Sequence, residues 1–135
     1  MTEYEYADLF ASFLSAQNSV FANYMTVVFA MLTASWFLAK RLTWRMAAVL
    51  LFIYTIWSLN MIVAVWAAFG DFARLGLQIY ELGQNPDTSL GWIGPVAAGS
   101  ADYMKALPTQ MAVMCSIVYI ASMVFFFIAR RRKDD

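Results

Sequence analysis

Histidine is missing from this sequence altogether, and Cys115 is its single cysteine. Those two absences remove the side chains from which zinc sites, histidine-ligated haem, Cys-His pairs and Ser-His-Asp triads are built. A disulfide within the chain would need a second cysteine. No GxGxxG, GxxxxGK[ST] or HExxH stretch occurs either, so neither a phosphate-cradling glycine loop nor a metalloprotease helix is expected. The sequence thus predicts no cofactor, no metal and no catalytic role. Charge is scarce as well: 13% of the 135 residues are charged, against about 25% in soluble domains.

What fills the chain is apolar, with 62% hydrophobic and 17% aromatic residues. Backbone polar groups in hydrocarbon must be satisfied within the spanning element, which points to an all-α integral membrane protein. Three segments carry the roughly 20 apolar residues that a helix needs to cross about 30 Å. They are Ser19–Ala39, Met46–Phe69 and Gln110–Ala129, and they read as one membrane domain with no internal repeat.

The charges divide around these spans. Lys40, Arg41 and Arg45 lie between the first two, and Arg130, Arg131, Arg132 and Lys133 follow the third, which collects seven of the nine basic residues on one side. The other side receives Glu3, Glu5, Asp8, Asp71, Glu81, Asp87 and Asp102, with only Arg74 and Lys105 to offset them. The positive-inside rule therefore predicts an outer N-terminus and a cytoplasmic C-terminus, a pattern that fits a bacterial inner membrane. Trp44 falls near the inner interface, and Tyr24 and Trp66 near the outer one. The acidic start lacks the basic leader of a secretory signal, so the N-terminus is expected to be retained. The terminal RRRKDD reads as a stop-transfer anchor in preference to a tail that binds anionic lipid, and four basic residues do not argue for nucleic-acid binding.

Residues 70–109 form an outer segment too long for an idle connector. Phe72, Leu75, Ile79 and Leu82 share a helical stripe that ends at Gly83, which predicts an amphipathic helix in the outer loop, lying in the headgroup layer or covering the bundle. Gly76 weakens that helix by about 1 kcal/mol relative to alanine. Beyond it, Trp92 and Ile93 stand among turn-forming residues, and with Phe72, Leu75 and Ile79 they are candidates for docking a partner. Pro108 suits the first turn of the third span. Upstream, Leu9, Phe10, Phe13 and Leu14 have helical spacing, as if the first helix extended outward or lay along the interface.

Within the spans, small and polar residues cluster on particular faces. In the first, Ala22, Thr26, Ala30 and Ala34 recur every fourth residue beside Asn23, a small-xxx-small seam expected to pack on a neighbouring helix, while Val28, Met31 and Leu32 are expected to face lipid. In the third, Cys115, Ser116, Tyr119, Ser122 and Phe126 share the packed side, and Cys115 is expected to be an unreactive small residue there. In the second, Ile53, Trp57, Asn60 and Ala64 share one face and Leu51, Thr55 and Phe69 the opposite one. Thr55 and Ser58 can return their hydroxyls to their own helix. Asn60 cannot do so as easily, and an amide at this depth costs several kcal/mol if its hydrogen bonds go unmade. It is expected to aim, with Trp57 and Ala64, at another helix or subunit, with Asn23, Thr26, Ser116 and Tyr119 as candidate partners.

These features predict a non-catalytic accessory or assembly subunit of a larger membrane complex, bound to lipids and to other membrane subunits or copies of itself. The alternative is a homo-oligomeric pore lined by Asn60 or by the Ser116, Tyr119 and Ser122 face. An intramembrane enzyme has little to work with, because no general base lies in the spans.

Overall fold

Thr2 begins the first helix with a capping box. Its hydroxyl accepts from the Glu5 N–H at 3.3 Å, while its own N–H donates to the Glu5 carboxylate at 2.6 Å. Two of the otherwise orphaned donors at the helix start are thereby satisfied, and Glu3 and Glu5 complement the positive end of the helix dipole. From there α1 runs Glu3–Leu38. A short turn follows, after which Thr43 caps α2 by accepting from the Met46 N–H at 3.4 Å. Helix α2 runs Trp44–Gly83 and stops at the glycine that the sequence marks. Helix α3 runs Ala101–Arg131 and closes on Arg130 and Arg131 at its negative end. The computed structural model describes residues 2–87 and 101–132, and every regular element among them is an α-helix.

All three helices are long and apolar enough to cross a membrane. At 36, 40 and 31 residues they measure about 54, 60 and 46 Å, well beyond a hydrocarbon layer of about 30 Å. Each helix packs on both others, α2 most extensively on α3. At one end Leu38, Trp44 and Arg131 finish close to the basic residues, so the surplus length projects from the opposite, acidic end.

The buried positions of α2 reveal how the bundle is organised. Ala47, Leu51, Tyr54, Ser58, Val65, Phe72, Leu75 and Ile79 follow an alternating spacing of three and four residues, with Met61 and Ala68 filling the partly buried steps. That is a heptad seam, which keeps one face of a long helix on its neighbours by a gentle left-handed supercoil. Tyr24, Val28, Met31 and Ser35 continue the same spacing along α1.

Several expectations change at this point. The stripe of Phe72, Leu75 and Ile79 is not a separate loop helix; it is the in-phase continuation of the α2 seam, because Gly70 leaves the helix unbroken. Phe72, Leu75 and Ile79 are buried beneath the N-terminal turns of α1, with the Phe10 and Phe72 rings 5.0 Å apart, so they already have their partner and form no free docking surface. Leu9, Phe10, Phe13 and Leu14 belong to α1, in one continuous helix with the first span. Pro108 lies inside α3, where it forfeits the bond to the Met104 carbonyl; buried Met104 and Leu107 hold the preceding turns in place. Trp92 and Ile93 fall outside the described residues.

The helix faces change too. On α1, Val28 and Met31 are core residues, whereas Ala22, Asn23, Thr26 and Ala30 are exposed on the outside. On α2, Ile53 and Asn60 are exposed while Leu51 and Phe69 are buried, so the inward face is rotated from the one that small and polar residues suggested. The reason is volume: the middle of the three-helix core is filled by the large side chains Tyr24, Tyr54, Val65 and Phe126, and among the described residues alanines are buried beside them only at Ala39, Ala47, Ala73 and Ala129. The α3 faces lie as the sequence implied, with Cys115, Ser122 and Phe126 buried and Val113, Ile117, Val124 and Ile128 outside.

Two glycines of α2 make opposite predictions. A methyl group at Gly70 meets nothing within 4 Å, whereas one at Gly76 comes within 2.9 Å of the Met104 Cε. Gly70→Ala should stabilise the protein by about 0.5–1 kcal/mol in detergent thermal unfolding. Gly76→Leu should destabilise it by about 1–3 kcal/mol, because the larger side chain overpacks the site and displaces the buried Met104 side chain. The capping box gives a third. Glu5 sits below its ordinary pKa of 4.5, mainly because its carboxylate accepts the Thr2 backbone hydrogen bond. Its contribution is therefore complete above the unfolded value and fades as pH falls through the lower folded one. Amide exchange in the first turn of α1 should accelerate only in that acid window, and Glu5→Gln should remove the pH dependence.

Candidate functional site

Midway along the bundle, hydroxyl groups that have no water to turn to are joined across the helices. Tyr54 and Ser122 lie 2.7 Å apart, and Ser122 also donates to the Tyr119 carbonyl at 2.7 Å. Thr55 and Tyr119 lie 2.8 Å apart, and Thr55 donates to the Leu51 carbonyl at 2.7 Å. Each hydroxyl carries one proton, which fixes the direction of both chains. The Tyr54 phenol donates to Ser122, which donates to its own backbone. The Tyr119 phenol donates to Thr55, which does the same. One relay thus runs from α2 into α3 and the other returns from α3 to α2, with the two tyrosine rings 5.8 Å apart between them.

Tyr24 adds the third helix. Its phenol donates to the Cys115 carbonyl of α3 at 2.8 Å, and its ring stacks on Trp57 of α2 at 6.2 Å with an interplanar angle of 6°. A single buried side chain of α1 therefore touches both other helices, through a hydrogen bond to one and a ring face to the other.

Of the residues singled out from sequence, the structure brings Tyr119, Ser122, Cys115 and Trp57 into this cluster. Ser116 stays out of it and returns its hydroxyl to the Ala112 carbonyl at 2.8 Å, as Thr26 does to Ala22. Ser58 differs from expectation: its hydroxyl is fully buried and makes no hydrogen bond, not even to its own helix. Asn60 is turned outward and its amide is not bonded to Asn23, Thr26, Ser116 or Tyr119. Ala30 and Ala34 line an apolar groove between α1 and α2 together with Val27, Leu50, Ile53 and Trp57, while Ala64 is half-buried farther along.

Sequence reasoning placed Tyr24 near the outer interface, whereas it is fully buried in the core, and gave Tyr54 no role. The signal was present: Tyr24 and Tyr54 sit at the seam spacing of their helices, where a phenol can pack its ring and still reach a partner. Chemically the cluster can bind helices together. Among the described residues it contains no charged group and a single thiol, Cys115, and no set of three His, Cys, Asp or Glu side chains gathers anywhere.

The direction of the relays makes a testable asymmetry. Tyr54→Phe removes a donor and leaves Ser122 bonded to its backbone, which should cost about 0.5–1 kcal/mol. Ser122→Ala strands a buried phenol and should cost about 1–3 kcal/mol. The double variant should be less destabilised than the sum of the two, as read by a double-mutant cycle of unfolding in mixed micelles.

No family model matches this chain, and no curated protein or solved structure matches it either.

Proposed function

We propose that the protein is a non-catalytic subunit of a larger membrane assembly. The observation that carries this reading is where Asn60 points. The hydroxyls of the buried Tyr24 and Tyr54, and of Tyr119 with them, are bonded within the chain, yet this amide, midway along the second span, lies on the outer surface of the three-helix unit one turn from the exposed Val63. Left against lipid tails it would cost several kcal/mol. A neighbouring helix that offers a donor and an acceptor removes that cost. Asn23 is likewise exposed on α1, at the edge of the Ala22, Thr26 and Ala30 seam, where small side chains let another backbone approach closely.

The groove lined by Ala30, Ala34, Ile53 and Trp57 lies between these two faces and is the natural seat for a partner helix. The remaining exposed surface, including Phe29, Phe52, Ile56 and Ile117, suits lipid tails. In this reading the acidic end lies outside and the basic end in the cytoplasm, by the positive-inside rule, and the membrane is a bacterial inner membrane. The projecting helix ends and residues 84–100 supply the outer contact with the partner, Trp92 and Ile93 among them.

A pore draws less support. Ser122 is buried and bonded to Tyr54, and Tyr119 is bonded to Thr55, so a water path along that face would have to break the packing that joins α2 to α3. Asn60 alone would remain to line a channel between copies.

Native mass spectrometry from membranes tests the proposal through Asn60→Leu. Wild type should be released with partner subunits in fixed stoichiometry. The variant should lose them while keeping its own thermal stability within about 0.5 kcal/mol, because the Asn60 side chain supports nothing inside the chain. A monomeric wild type, or a variant that unfolds without any change in assembly, would contradict the reading.

A further inference from the structure

At the basic end, two depressions lie side by side between the last turns of α1 and α3. The first is polar and is lined by Trp36, Phe37, Lys40, Arg41, Ala129 and Arg132. The second is apolar and is lined by Trp36, Phe125, Ile128 and Ala129, with Arg131 and Arg132 at its rim. They share Trp36, Ala129 and Arg132, so they form one continuous surface with a cationic mouth and a greasy floor. At the junction the Arg132 guanidinium lies 4.4 Å from the centre of the Trp36 ring, and that ring stacks on Phe125 at 6.2 Å. Small Ala129 leaves the floor open. Among the described residues, no acidic side chain lines either depression.

We propose that this surface is a binding site for one anionic glycerophospholipid. Three cations just past the ends of two helices, Lys40 and Arg41 in the turn after α1 and Arg132 after α3, converge where a headgroup phosphate would lie, and the adjoining groove over Phe125 and Ile128 accepts the first part of an acyl chain. Both requirements of such a lipid are met at the depth where a helix end meets the headgroup layer. Arginine provides paired N–H donors for phosphate oxygens, and the Trp36 face holds one such guanidinium at the mouth. Arg130 has a different duty: it donates to the Ala39 carbonyl at 3.2 Å and lies over Trp44 at 5.3 Å, which ties the α1–α2 turn to α3. The basic run after the third span is thus divided into a brace, Arg130, and a ligand, Arg132. This site is independent of the Asn60 face and does not depend on a protein partner.

The test is a native mass spectrometry titration of the delipidated full chain with phosphatidylglycerol and, separately, phosphatidylcholine. Wild type should retain one phosphatidylglycerol with at least tenfold preference. Arg41→Gln and Arg132→Gln should each reduce that preference about fivefold, the worth of one cation near an anionic surface, whereas Arg45→Gln, the same charge loss outside the depressions, should change it less than twofold. Thermal unfolding should be unchanged in Arg41→Gln and Arg45→Gln, and Arg41→Gln, in the turn, reads the site even where Arg132→Gln, by releasing Trp36, disturbs the end of α3. Equal losses for Arg45→Gln and Arg132→Gln would overturn the proposal in favour of a diffuse positive field. So would displacement of the lipid by millimolar glycerol phosphate, which would make this a site for a free phosphate.

Discussion

A phenol or alcohol in hydrocarbon must find its partner inside the protein, and the structure depends on how three tyrosines meet that demand. Tyr54 and Tyr119 donate in opposite directions between α2 and α3, and each donation ends on a side chain that passes its own proton to a helix carbonyl. Tyr24 reaches from α1 to the Cys115 carbonyl and lays its ring on Trp57. Lipid tails are as apolar as leucine, so helix association in a membrane draws on packing and hydrogen bonds more than on the hydrophobic effect. The tyrosines supply both. Each bond is worth on the order of 1 kcal/mol, but together they leave one rotation of each helix in which no phenol is stranded.

That rotation dictates what faces outward. With Tyr54 and Ser58 turned into the bundle, Asn60 falls on the opposite side of α2, and with Tyr24 turned in, Asn23 and the alanine seam of α1 fall outside. The proposed partner face is therefore a consequence of the core. A protein that used Asn60 for its own packing would have to turn Tyr54 toward lipid. The same logic extends beyond the membrane, where the heptad seam of α2 carries on through Phe72, Leu75 and Ile79 and meets Phe10 and Phe13 of α1.

The sequence was legible where one signal dominated. Spans, helix ends at Gly83 and at the basic clusters, and the packed side of α3 all follow from runs of apolar residues, a stop residue and one coherent polar stripe. On α1 and α2 the signals conflicted. Small residues argue for close helix contact and large aromatics for lipid, yet a three-helix core needs volume, and the seam is marked by Tyr24, Tyr54 and Phe69 rather than by Ala30 or Ala64. Reading the three-and-four spacing of all residues, without sorting them first by polarity, would have placed Asn60 outside. The continuation of α2 was hidden by Gly70, Asp71 and Arg74, which resemble the end of a span but lie inside one unbroken helix. What Ser58 does could not be read at all, because a serine's choice between its own backbone and a neighbour is settled by packing around it.

The most direct test of this account is the rotation of α2. Nitroxide labels placed one at a time along residues 50–66 in purified protein, in a Cys115→Ala background, report oxygen accessibility at each position. The account predicts minima at 51, 54, 58 and 65, with position 60 among the accessible ones in the isolated chain. Minima at 53, 57, 60 and 64 would contradict it, because they would turn Asn60 into the core and Tyr54 toward lipid.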